Sequence, residues 1–96
     1  MSYYVILMSL SEHGIEKIKD SPKRADHFKQ VAESKGCKVH DIFWTFGQYD
    51  GVGIVEAPDD TALMSALLSV ESEGNVRTST LKAFKYEEAK KIIGNL

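Results

Sequence analysis

One cysteine, Cys37, stands in 96 residues, so no disulfide can close within the chain. A reducing, cytoplasmic setting is the expectation. Positive charge is not in excess: 12 lysines and arginines meet 14 aspartates and glutamates, a formal net charge of -2. A pI of about 5.9 gives no electrostatic draw toward DNA, RNA or an anionic membrane, and none is expected as a partner. No apolar run approaches the ~20 residues of a membrane span. The opening MSYYVILMSL lacks a basic flank and a cleavage motif, and leads into Ser11, a helix-capping type. It reads as a first strand, not as a leader. There is no glycine-rich phosphate loop. His13, His27 and His40 have no metal-ligand spacing with one another or with Cys37, so no metal or cofactor is expected. Were a haem bound, His40 would be the poor best choice of axial ligand. Repeats, linkers and low-complexity stretches are also missing, so one domain over residues 1–96 is expected.

What is present is an ordinary globular balance, 43% hydrophobic and 27% charged. Tyr3 to Leu10 is β-branched, aromatic and apolar on both faces, as suits a central strand. Ser11 can cap a short turn holding Ile15 and Ile18. Ser21-Pro22 restarts a helix with Ala25, Phe28, Val31 and Ala32 as its apolar stripe, and Gly36 is placed for a left-handed stop. Val39 to Phe46 and Val52 to Ala57 read as two strands around GQYD. Pro58 ends the second, and a helix from Asp59 or Thr61 follows with Leu63, Ala66, Leu67 and Val70 at i, i+3, i+4, i+7. Val76 to Phe84 is a fourth strand, and a tail helix from about Tyr86 carries Ala89, Ile92 and Ile93. The order βαββαβ with right-handed crossovers predicts an α+β, ferredoxin-like, four-stranded antiparallel sheet with both main helices on one face.

The central hairpin admits two registers. A two-residue turn at Asp50-Gly51 would set Phe43 opposite Pro58 and shorten the third strand. A loop centred on Gln48-Tyr49 sets Gly47 opposite Asp50, and pairs Phe46 with Gly51, Trp44 with Gly53 and Ile42 with Val55. The second is preferred, because large side chains then lie over strand glycines, with a distortion expected at Gly47. Asp41, Phe43, Thr45, Asp50, Val52, Ile54 and Glu56 fall on the other face, assigned to the side away from the helices. Left bare, such a face is a patch larger than monomers usually expose. A homodimer packed sheet to sheet would cover it and enclose a partly polar space. The tail helix folding back is the competing cover.

The segments GQYDGVGIVEAPDD, SPKRADHF and GNVRTSTLKAF together resemble the GYD-domain family, nearly the whole chain through Phe84 being covered. The resemblance implies a dimeric α+β barrel, whose broader relatives include cofactor-free monooxygenases, small isomerases and haem-binding enzymes. Its pattern falls here on Arg24, Gly47, Tyr49, Asp50, Glu56, Pro58, Asp59, Arg77 and Thr78. No catalytic assignment comes with it.

Six residues are ligand-binding candidates: Asp50, Glu56, Arg77, Tyr49, His40 and Trp44. Asp50 and Glu56 are six residues apart on one strand, about 20 Å, too far for an acid/base pair within one subunit. Four also have a structural reading: Asp50 as an acceptor of backbone hydrogen bonds, Glu56 paired with a lysine or arginine, Arg77 as the salt-bridge cation for Asp50 or Glu56, and Tyr49 as a packed ring. His40 is expected to share a face with Trp44 and border a cavity. The leading expectation is a small-molecule-binding protein, a cofactor-free oxygenase or isomerase with its site between two sheets. The alternative is a non-catalytic dimeric module that stabilises or regulates a partner. A void of about 300 Å³ or more with converging polar groups would favour the first.

Overall fold

The computed structural model describes all 96 residues. Four strands, β1 (Ser2–Leu10), β2 (Lys38–Trp44), β3 (Gly51–Ala57) and β4 (Val76–Ala83), form one antiparallel sheet in the order β2-β3-β1-β4. Helix α1 (Glu12–Glu16) and a 3₁₀ turn (Ile18–Asp20) lead into α2 (Ser21–Ser34). Helix α3 (Asp60–Glu71) joins β3 to β4, and α4 (Tyr86–Gly94) ends the chain. This is the expected ferredoxin-like arrangement. No helix is long and apolar enough to cross a membrane.

The local signals act as the residue chemistry dictates. Ser11 Oγ accepts the Gly14 N–H at 3.0 Å, and Asp59 Oδ1 accepts the Ala62 N–H at 2.8 Å, so each satisfies an orphan donor of a first helical turn. Pro22 sits in the first turn of α2, where its missing N–H costs nothing. Gly36 takes φ 82° just past the end of that helix, the left-handed stop that a side chain would strain.

Residues of β1 alternate between two environments. Tyr4 and Ile6 face the helices and pack with Val55, Ala57, Phe28, Ala32, Leu63, Ala66 and Leu67 in a single core. Tyr3, Val5 and Leu7 point the other way, beside Val52, Ile54 and Phe43 on one flank and Leu81 on the other. No helix covers this second face. The tail helix does not fold back onto it: none of the residues of α4 is buried and none belongs to the core.

The hairpin register differs from the expected one by two residues. Trp44 pairs with Gly51, Phe43 with Val52 and Ile42 with Gly53. The strands therefore stop at Trp44 and start at Gly51, and Phe46, fully exposed, belongs to the loop. A wider loop wins because Asp50 is held from three sides. Its N–H donates to the Met8 carbonyl at 2.8 Å, its carbonyl accepts from Thr45 N–H at 3.0 Å, and its carboxylate is bound to β1. Gly47 has φ 120°, the expected distortion. Because the shift is even, the faces are kept: Trp44 still lies opposite a glycine, now Gly51, and Ile42 takes Gly53 in place of Val55.

Candidate functional site

The six candidates separate into three places. At the loop end of the sheet, Asp50 Oδ2 accepts the Leu10 N–H at 2.8 Å. The carboxylate thereby ends β1 and fixes the hairpin loop against it. Tyr49, a half-buried residue, offers its backbone carbonyl to the Thr45 hydroxyl at 2.6 Å. Trp44 turns toward the helices, and its indole N–H donates to Ser21 Oγ at 2.9 Å at the start of α2. Trp44 and Asp50 border a cleft of about 80 Å³ between the sheet and α2 and α3, walled mainly by Met8, Leu10, Phe28, Ile42, Val70 and Val76. A second, shallow groove of about 310 Å³ lies between α3 and β4. Neither is a closed chamber of the size and polarity that small-ligand sites show.

Arg77 stands apart. It pairs with Ser9 on the uncovered face and makes no ion pair or side-chain hydrogen bond, so the salt bridge expected of it with Asp50 or Glu56 does not form. Replacing Arg77 with alanine should therefore leave stability within about 0.5 kcal/mol of the parent. Asp50→Ala should cost about 1–3 kcal/mol, since it strands the Leu10 amide. Urea unfolding at matched protein concentration measures both, and equal effects would contradict the assignment.

The third place is the far end of the uncovered face. A β-bulge between Val39 and Asp41 adds one residue to β2 and inverts the alternation beyond it. The bulge sets His40 on the face opposite Trp44, contrary to the expectation that they share one. There His40 Nε2 meets Glu56 Oε1 at 3.0 Å, and its ring stacks on Tyr3 with centroids 5.4 Å apart. The partner of Glu56 is thus a histidine rather than a lysine or arginine. Its hydrogen bond with His40 holds the Glu56 carboxyl below the ordinary range, with Tyr3 adding to the effect against some desolvation. Lys85 places its ammonium 4.3 Å from the Tyr3 ring centroid, and its pKa is raised chiefly by a hydrogen bond to that tyrosine.

Sequence reasoning missed Tyr3 and Lys85 in this cluster, and it missed a second set on the helix side. The buried Tyr4 hydroxyl donates to the Asp60 carboxylate, with Lys82 Nζ 3.7 Å from the same oxygen. The Tyr4 hydroxyl is pushed up by that carboxylate first and by burial second, while Asp60 is held down by the same hydrogen bond and by Lys82. No short-range pattern links positions 4, 60 and 82. Arg24 bonds the Lys17 carbonyl at 2.8 Å and the Gly14 carbonyl at 3.2 Å, closing the end of α1. Burial pushes the Cys37 thiol up, so it carries little thiolate at neutral pH.

The two-layer fold is matched elsewhere. The chain resembles the glutamine synthetase and cystathionine beta-lyase binding protein of Thermus thermophilus, 33% identical over 84 residues that span 86% of this chain and 88% of the relative. Among solved structures, a feast or famine regulatory protein of M. tuberculosis complexed with L-methionine shares the fold with a TM-score of 0.67 at 18% identity, over 88% of this chain. The chain spans only about half the length of that regulator, 51%. The structure named FFRP-DM1 is matched over its full length and 88% of this chain, with a TM-score of 0.58 at 18% identity. The family model described as GYD domain matches residues 4–93, and this chain belongs to that family.

Proposed function

We propose that this protein is a non-catalytic, homodimeric binding module that docks onto an enzyme of amino-acid metabolism. The observation that carries the reading is where its chemistry is spent. Asp50 and Trp44 hydrogen-bond to the fold, Glu56 is engaged with His40, and Arg77 lies at the other end of the sheet from that pair. General acid/base work needs such groups to converge on one reacting atom. The largest unspent feature is instead the uncovered face of Tyr3, Val5, Leu7, Val52, Ile54, Phe43 and Leu81. The oxygenase or isomerase expectation therefore has less behind it than the binding-module alternative.

Support comes from the Thermus relative, named for binding a glutamine synthetase and a cystathionine β-lyase. The mycobacterial regulator, of the same fold, is complexed with L-methionine, which supports an amino acid as a ligand of the module. Glu56, His40 and Arg77 are the candidates on the face such a ligand would meet. Sedimentation of the purified chain with the glutamine synthetase and cystathionine β-lyase of its own source, with and without L-methionine, tests the reading. Co-sedimentation with at least one enzyme is expected. Independent migration from both would overturn it.

A further inference from the structure

Helix α4 has nine residues and buries none of them, yet it is formed. Isolated helices shorter than ~12–15 residues are marginal in water, even alanine-rich ones, so α4 needs a surface to pack on. The sequence says which side packs. Tyr86, Ala89, Ile92 and Ile93 share a stripe about 120° wide, while Glu87, Glu88 and Lys91 lie opposite. That stripe is bare: Ile92 is 50% exposed, Ile93 65% and Tyr86 75%. Nothing in its own chain receives it.

The exit of the helix points to what does. The cap residue Lys85 lies with its ammonium over the ring of Tyr3, a residue of the uncovered sheet face. Helix α4 therefore leaves the fold from the side of that face. It then runs outward, and the chain reaches 49 Å in its longest dimension while only 17 Å thick.

Area points the same way. Four strands about 20 Å long and about 4.8 Å apart present roughly 400 Å². Two such faces cover roughly 800 Å² in projection, against the roughly 1,200–2,000 Å² of accessible surface that a stable interface buries, so the sheets alone reach its lower edge at most. A nine-residue helix is about 13 Å long and about 10 Å wide. Each arm, with the surface beneath it, adds roughly 260 Å², which brings the whole to roughly 1,300 Å² and into the stable range.

We infer that α4 is an exchanged arm. In the homodimer, on which this inference rests as part of the function proposed above, each α4 lies stripe-down on the second copy along the rim of its open sheet face, and the two arms clasp the sheet pair. The helix is then one element of the partner's core rather than a tail.

Sedimentation equilibrium of the full chain tests this, with Ile93→Lys and the double variant Ile92→Lys/Ile93→Lys beside the parent. Both side chains are exposed within the protomer, so neither change disturbs its core. The dimer dissociation constant should rise about 100-fold or more, because each lysine puts an unpaired charge into the apolar contact made by the stripe. Lys91→Glu on the opposite stripe should leave it unchanged. Amide exchange at Ala89 to Ile93 should speed up as the parent is diluted through its dissociation constant. Dimerisation of the double variant as tight as the parent's, or a parent monomeric at ~1 mM, would overturn the inference. Enzyme docking is read separately, by co-sedimentation, so the arm can fail while docking survives, and the reverse.

Discussion

Ile6→Ala should lower the unfolding free energy by about 2–5 kcal/mol, toward the upper end of that range. Ile6 is fully buried and, with Val55, is the largest side chain with no exposure. Its cross-strand neighbours are Gly53 on β3 and Thr80 on β4. Glycine has no side chain to move into a void, so the site collapses poorly and the cavity penalty persists. The void would also open into the cleft, which Ile6 already borders. A small domain has about 5–15 kcal/mol in all, so one truncation removes a large share of it. Urea unfolding at fixed protein concentration should show a lower midpoint with an unchanged slope. The concentration must match, since dimerisation adds its own stabilisation. A cost below about 1 kcal/mol would mean that the core is not centred on β1 and β3.

Gly14→Ala separates two effects of opposite sign. Gly14 is within α1, and helix propensity alone favours alanine by about 1 kcal/mol. Packing opposes it. A Cβ at Gly14 would overlap the carbonyl oxygen of Asn75 and lie 3.1 Å from its carbonyl carbon. Those atoms are backbone and have no rotamer to yield. They are also fixed, because the same Asn75 oxygen accepts the Ser11 N–H at 3.0 Å and Ser11 Oγ donates to the Gly74 carbonyl at 2.6 Å. Overpacking against rigid atoms costs about 1–3 kcal/mol or more, so packing wins. The variant should be destabilised by at least about 1 kcal/mol, with looser contact between α1 and the α3–β4 turn seen as faster amide exchange at Ser11 and Gly14. A stabilised variant would show that α1 moves freely over Asn75.

Both predictions bear on function through the sheet. Ile6 packs β1 against the helix layer and Gly14 seats α1 against Asn75 just before β4, so both order the strands that carry the open face. A binding module of the kind proposed gains from that order, because a face arranged before contact loses less conformational freedom on binding.

Much of this was legible in the residues. The continuous apolar run of β1, Pro58 after β3, the caps at Ser11 and Asp59, the proline at the start of α2 and the glycine after it determined where these elements begin and end. Element order with right-handed crossovers then determined the sheet topology and left one face uncovered. These are local or topological constraints, each carried by a few neighbouring residues.

The tertiary structure decided what depends on long-range contact. The hairpin register is set by Asp50 reaching β1, a contact between residues 40 apart in the chain that no local pattern announces. A single bulged residue in β2 moved His40 to Glu56 and away from Trp44, because strand alternation has period two and one insertion inverts it. The same holds for the tail. Its stripe was readable, but whether it covered its own sheet or projected from it depended on the turn at Lys85, where a cation settles over Tyr3 at the opposite end of the sequence.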